Sequence, residues 1–162
     1  MGRAGGAPHM SQALTLTDGA ELITVIVGGQ LFALNIQQVR EIRGWTTSTP
    51  LPKAPSYVLG VINLRGAVLP VLNLATRLGL PASEAKPSSV VIVVDLGEKT
   101  VGLLVDAVCD ILAVSEGQVQ PAPELGRGGG TSLAYGMITT EEGIITLIDL
   151  AGVLPTEELV AA

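Results

Sequence analysis

Side chains suited to catalysis are scarce in this sequence. Its 162 residues include one histidine, His9, and one cysteine, Cys109. His9 lies within residues 1–10, which look like a tag remnant ending at a second start methionine and are left out of the fold prediction. The rest of the chain has no side chain that ordinarily titrates near neutral pH to activate a nucleophile. We therefore predict that the protein is not an enzyme and binds no cofactor.

Aromatic and basic residues are also rare. Aromatics make up 2% of the chain, and nine Lys and Arg face fifteen Asp and Glu, for a net charge of -6. Such a surface repels a phosphate backbone and offers little base stacking, which argues against nucleic acid as a partner. No apolar run approaches the ~18 residues that span a bilayer, and no secretory signal is recognised. A single cysteine rules out an internal disulfide, and we predict a cytoplasmic protein without direct membrane insertion.

Three patterns that resemble ligand sites have simpler interpretations. Asp106 and Asp110 are spaced for one face of a short helix, but two carboxylates without further oxygen donors make a poor metal site. The Gly-rich run over residues 126–131 lacks the lysine of a phosphate loop and is predicted to be a flexible connector. Cys109 lies in an apolar segment and is predicted to be a small core residue. No metal site is expected.

The most informative positive feature is a repeat of apolar positions. The segment from Gly60 to Leu78 is echoed by Gly136 to Leu154, and Phe32 to Val39 is echoed by Val101 to Val108. Two copies that share a buried pattern need the same scaffold, so positions that differ between them are free to serve function. Arg65 is the clearest difference.

Short strands separated by turns, with only short helices, predict an all-β fold. We expect one short helix that is capped by Asn35, contains Ile36, Val39 and Ile42, and ends at Gly44. A second short helix is expected to be capped by Asn73 and to run through Leu78. The predicted architecture is two five-stranded SH3-like barrels packed side by side in one domain over residues 21–162, after a flexible lead-in at 11–20. The first barrel is assigned to residues 21–81, the second to 88–148, and a C-terminal helix to 149–160. The C-terminal segment is left as a candidate cover for the first barrel.

Arg65 occupies the tip of a predicted hairpin, in the turn Asn63-Leu64-Arg65-Gly66. A guanidinium at this place presents a rigid set of donors that suits a carboxylate. One interpretation is an internal salt bridge to Glu41, and the other is recognition of a partner protein. Both interpretations are true if the pair of Arg65 and Glu41 forms the wall of a binding groove.

Several motifs, in order, closely resemble those of the CheW family of bacterial chemotaxis coupling proteins. The resemblance covers the chain from Glu21 to Leu154. Its motifs are Gly60-Val-Ile-Asn-Leu-Arg-Gly-Ala-Val-Leu-Pro-Val-Leu-Asn-Leu74, Val39-Arg-Glu-Ile-Arg-Gly44, Val90-Val-Ile-Val-Val94, Val101-Gly-Leu-Leu-Val-Asp106 and Pro121-Ala-Pro123.

The resemblance implies an adaptor that couples the cytoplasmic tips of chemoreceptors to the regulatory domain of the CheA histidine kinase, as part of a membrane-associated signalling array. The receptor would bind a groove between the barrels, and the kinase would bind apolar surface of the first barrel, at residues that are not assigned. The positions that match the family's receptor-facing surface are Ile36, Val39, Glu41, Gly60, Arg65, Val108 and Ile111, with Val105 lining the same groove. The alternatives are the CheW-like regulatory domain of a CheA-type kinase and an adaptor in a related motility pathway.

Overall fold

The computed structural model describes residues 20–81, 84–121 and 134–153. The predicted tag remnant, most of the lead-in, the Gly-rich connector and most of the predicted C-terminal helix lie outside the described residues. Within them, no helix is long and apolar enough to cross a bilayer.

The described chain forms ten strands and two short α-helices, which confirms the predicted all-β fold with short helices. In chain order, the elements are β1 (Ala20–Val27), β2 (Gln30–Asn35), β3 (Val39–Gly44), β4 (Val58–Leu64), β5 (Ala67–Asn73), α1 (Leu74–Arg77), β6 (Val90–Leu96), β7 (Lys99–Val105), β8 (Ala107–Val114), β9 (Ala134–Thr140), β10 (Gly143–Ile148) and α2 (Leu150–Val153).

The strands form two five-stranded sheets that exchange elements between the repeats. Sheet 1 has the order β8-β1-β2-β10-β9, and sheet 2 has the order β3-β6-β7-β5-β4. The first repeat is β1–β5 and the second is β6–β10, so each sheet combines two strands of one repeat with three of the other. Parallel pairing of β2 with β10 and of β7 with β5 joins the two sets. The predicted barrel boundaries, 21–81 and 88–148, therefore do not correspond to the two sheets.

The alternation of side chains along each strand explains this exchange. In β6, Ile92 and Val94 point into a core shared by both sheets, whereas Val91 and Val93 point into a core that belongs to sheet 2. The shared core has sixteen buried residues, and the separate cores of sheets 1 and 2 have six each. Burying one such side chain contributes about 1.5–3 kcal/mol, so the shared core dominates the packing and binds the two sheets into one unit.

Corresponding β-bulges occur in the two repeats. Val39 and Glu41 of β3 pair with the adjacent residues Val94 and Val93 of β6, which leaves Arg40 as the extra residue. The pairing of β8 with β1 is irregular at the corresponding place, between Val108 and Ile111. An extra residue turns the two-residue period of a strand into a three-residue spacing.

The bulges correct two helix predictions. The Asn35 cap is present, since its Oδ1 accepts a hydrogen bond from the Gln37 N–H at 2.9 Å. The helix is only a 3₁₀ turn over Ile36–Gln38, however, and the chain continues as strand β3. Likewise, Asp106 immediately precedes strand β8 and Asp110 lies within it, so the two residues are not on a helix. Over residues 39–42 the bulge produces an apolar spacing that imitates a helix, and over residues 106–110 the four-residue spacing of the carboxylates falls on a bulged strand.

Each sheet is completed by a segment that crosses from one edge strand to the other. After β3, Thr49 pairs with Val61 of β4, through backbone hydrogen bonds of 2.9 and 2.8 Å. After β8, Gln120 pairs in the same way with Met137 of β9. These crossings join the outer strands of each sheet around its separate core, in agreement with the predicted barrel shape.

The two helices follow β5 and β10 and are capped differently. Asn73 caps α1 through its side-chain oxygen, as predicted, with hydrogen bonds from the Ala75 and Thr76 amides at 3.1 and 3.4 Å. At the equivalent position Asp149 accepts from the Ala151 N–H at 3.1 Å. Burial raises the pKa of Asp149, although its backbone hydrogen bonds act in the opposite direction. Burial, and then the charge of Asp149, raise the pKa of Tyr135 to about 12.

Asp149→Asn is expected to stabilise the protein at neutral pH. The raised pKa means that folding disfavours the ionised carboxylate, so the contribution of Asp149 to stability is present at acid pH and lost as pH rises through the folded-state pKa. Asparagine keeps the capping oxygen, as Asn73 shows. Urea unfolding should show a gain at pH 7 that shrinks toward pH 4, and the pKa of Tyr135 should fall. A less stable variant at pH 7 would contradict this explanation.

Candidate functional site

The charged rim is the set Glu41, Arg43 and Arg65, which lies where sheet 2 closes. Glu41 is on edge strand β3, and Arg65 is in the turn after the opposite edge strand, β4. The two terminal guanidinium nitrogens of Arg65 donate to the two carboxylate oxygens of Glu41. The bond from Nη1 to Oε2 is 3.4 Å long, and the other runs from Nη2 to Oε1. This fork confirms the predicted pair and connects the two edges of the sheet. The Arg65 side chain remains 67% exposed, so a partner has access to it.

The turn that carries Arg65 is strained. Arg65 and Gly66 both have positive φ, 54° and 89°, which is the type I′ hairpin pattern. The Asn63 side chain accepts a hydrogen bond from the Gly66 N–H at 3.0 Å and supports the turn. Glycine, asparagine and aspartate are the usual residues where Arg65 stands. An arginine retained in this conformation is consistent with a functional demand.

Glu41 contacts a second cation. Arg43 Nη1 donates to Glu41 Oε2 at 3.2 Å, so the carboxylate lies between two guanidinium groups. Arg40 on the same strand belongs to a different pair, with Asp95 of β6 at 3.4 Å. Arg43 was not predicted as a site residue, because in the predicted helix residues 41 and 43 would lie on different faces. In the observed strand they lie on the same face.

Apolar residues flank the shared core at both outer strands, β3 and β8. Val39 and Val108, which are equivalent in the repeat, are partly buried against that core. Ile42 and Ile111 are also equivalent, and they are 47% and 54% exposed. Their strand partners, Ile92 and Ile23, are shared-core residues. We call Val39, Ile42, Val108 and Ile111 the apolar rim. Ile42 was missed, although its equivalence to Ile111 would have identified it.

The remaining candidate residues have different environments. Ile36 is half-buried in the 3₁₀ turn. Val105 is 1% exposed and lies in the shared core, so it supports the rim from within. Gly60 is buried on β4, and a Cβ there would lie 2.3 Å from the Thr49 carbonyl oxygen. The missing side chain therefore makes room for the crossing segment.

The structure corrects one further prediction. Cys109 is exposed on β8 and is not a core residue, because it lies in the bulge of an edge strand. Asp106 accepts a hydrogen bond from the Gly28 N–H at 2.9 Å. Within the described ranges, no cluster of three or more His, Cys, Asp or Glu is arranged to hold a metal ion.

The first predicted barrel, where the kinase is expected to bind, has two exposed large apolar side chains among its described residues. Ile42 lies on β3, and Val68, 61% exposed, lies on β5. The equivalent of Val68 in the second repeat is Ile144, which is 59% exposed. The described chain therefore presents its exposed apolar side chains in repeat-related pairs.

These features define a class of protein: a double-sheet β-protein with an apolar rim and a salt-bridged charged rim. A family model described as CheW-like domain matches residues 21–158. The Chemotaxis protein CheW of Rhizobium meliloti (strain 1021) is 51% identical over 144 residues, which cover 89% of this chain and 93% of that protein. That of Bacillus subtilis (strain 168) is 34% identical over 140 residues, with coverages of 86% and 89%.

A solved structure agrees with these relatives. The scaffolding protein TtCheW from Thermoanaerobacter tengcongensis superposes with a TM-score of 0.72 at 27% identity, covering 80% of this chain and 88% of that one. The chain belongs to the CheW family and is a chemotaxis coupling adaptor.

Gly60→Ala is expected to lower the free energy of unfolding by about 2–4 kcal/mol, because the new Cβ meets the Thr49 backbone and the φ of 150° is strained. Gly44→Ala is the matched control, since no atom lies within 4 Å of its Cβ position. Urea unfolding of both variants tests this. Equal effects would show that the crossing segment does not depend on Gly60.

Arg65→Asn should be more stable than Arg65→Ala by about 0.5–1 kcal/mol, because asparagine tolerates positive φ and alanine does not. Both variants lack the ion pair, so their difference isolates the backbone strain. Urea unfolding at matched ionic strength measures it. If alanine is equal or better, the turn is not strained as described.

Proposed function

We propose that this adaptor binds the cytoplasmic tip of a chemoreceptor at the apolar and charged rims, and separately binds the regulatory domain of the CheA histidine kinase. Receptor state would then control kinase autophosphorylation. The protein would act in the cytoplasm, without catalysis of its own, as part of a membrane-associated array. The observation that carries the proposal is the exposed guanidinium of Arg65, which lies on a strained turn and pairs with Glu41, the residue that precedes the exposed Ile42 on β3.

The apolar rim suits a helical partner. An amphipathic helix places apolar anchors at intervals of three and four residues, and Val39, Ile42, Val108 and Ile111 offer apolar surface to such anchors. Ile42 and Ile111 are about half exposed before any partner arrives, so burying them would favour binding.

The charged rim suits orientation more than affinity. An exposed ion pair contributes little stability by itself, about 0–1 kcal/mol. Arg65 has donors left over after its two bonds to Glu41, because a guanidinium has five N–H groups. A carboxylate on the receptor helix would take these donors and fix the register of the helix on the rim.

The kinase domain would use other surface. The exposed Val68 lies on β5 in the first predicted barrel, on a different strand from the apolar-rim residues of β3 and β8. Two separate surfaces are what a coupling protein needs, because both partners must bind at the same time.

Arg65→Ala is expected to weaken capture of a receptor cytoplasmic fragment about tenfold and to reduce kinase stimulation, while capture of the kinase regulatory domain stays unchanged. Arg40→Ala is the matched control, since it removes the same charge from a pair outside the charged rim. Pull-downs and a kinase assay with full-length protein measure these effects. Unchanged receptor capture by a folded Arg65→Ala variant, or equal loss in the control, would contradict the proposal.

A further inference from the structure

Arg43 is the member of the charged rim whose purpose the fold leaves unexplained. It shares Glu41 Oε2 with Arg65, at 3.2 Å for Arg43 and 3.4 Å for Arg65. Arginine stays protonated in proteins, so two guanidinium groups around one carboxylate leave the rim with a net positive charge. The chain as a whole carries -6. The rim is therefore a cationic site on an acidic protein.

The second repeat shows what the scaffold requires at this position. The alignment that places Val39 on Val108 also places Arg43 on Leu112. Arg43 pairs with Val91, and Leu112 pairs with Leu22. Val91 and Leu22 are both buried in the separate core of their own sheet, and Leu112 is partly buried against that core. A leucine therefore satisfies the fold at position 43.

The other two rim residues have lost their pairing in the second repeat. Glu41 corresponds to Asp110, and Arg65 corresponds to Glu141. Both equivalents are acidic, so the charged network is present in only one repeat although the strands and bulges are the same. The network is thus not a requirement of the shared scaffold.

We propose that Arg43 is a positioning and specificity residue that selects an acidic partner segment through Glu41. This inference rests on the proposed receptor function and names the chemistry that the site prefers. With Arg65 alone, Glu41 would neutralise the rim, and its carboxylate would repel an approaching carboxylate. The positive charge of Arg43 compensates the negative charge of Glu41. The N–H groups of Arg65 that do not bond to Glu41 are then available to a carboxylate of the partner.

The electrostatic consequence differs from that of a structural salt bridge. Like charges across an interface oppose association, and rim charges chiefly affect the association rate and its dependence on salt. A protein with a net negative surface repels an acidic segment nearly everywhere, so one cationic rim directs where that segment binds. Arg43 should therefore change the salt dependence of binding and leave folding unchanged.

The test compares Arg43→Leu with Arg40→Leu in the full chain, using a chemoreceptor cytoplasmic fragment as the probe. Both variants remove one positive charge from β3, but Arg40 pairs with Asp95 and not with Glu41. Arg43→Leu should unfold at the same temperature as the wild type or higher. Its affinity for the receptor fragment should fall about five- to tenfold at low salt, with a shallower salt dependence. Arg40→Leu should stay within about twofold.

Two further variants separate charge from packing. Arg43→Lys should recover most of the affinity, because the charge near Glu41 is kept. In a Glu41→Gln background, Arg43→Leu should have a smaller effect than in the wild type, because Arg43 then has no carboxylate to compensate.

The outcomes separate the two proposals. If the wild type binds and Arg43→Leu binds equally well with the same salt dependence, the role of Arg43 is overturned and receptor binding stands. Equal losses for Arg40→Leu, or additive effects with Glu41→Gln, also overturn it. If the wild type fails to bind the receptor fragment, the proposed function falls, and this inference falls with it.

Discussion

The fold depends on one apolar core that both sheets share. Its members come from β1, β2 and β10 on one side and from β5, β6 and β7 on the other, and α1 and α2 also contribute. Since each sheet takes two strands from one repeat and three from the other, neither repeat has a complete sheet of its own. In sheet 2, β6 and β7 lie between β3 and β5, so the first repeat alone leaves β3 without a neighbour.

The same arrangement creates the charged rim. Glu41 and Arg65 belong to one repeat but lie at opposite edges of sheet 2, with two strands of the other repeat between these edges. They meet because the sheet closes on itself. Rigid strands thus position the rim, while the strained turn presents Arg65 outward. The scaffold is duplicated, but the charges are not, and this difference gives one rim a chemistry that the other lacks.

Much of this was accessible from the sequence. Apolar alternation and turn residues predicted the strands, the two asparagine caps were recognised, and the echo of Gly60 in Gly136 predicted the duplication. Strand exchange was not predictable, because the repeats carry equivalent apolar faces and either pairing buries them. The bulge at Arg40 produced a three-residue spacing that imitates a helix, which concealed Arg43 and Ile42. Cys109 was predicted to be a core residue because its segment is apolar, whereas its place in the second bulge leaves it exposed.

We predict that the two repeats fold only together, by exchanging strands around the shared core. The most direct measurement is the amide proton spectrum of residues 20–81 expressed alone and then mixed with residues 84–153. Our account predicts a poorly dispersed spectrum for the fragment alone and a folded, cooperatively melting complex after mixing. A well-dispersed spectrum and cooperative unfolding for residues 20–81 alone would contradict it.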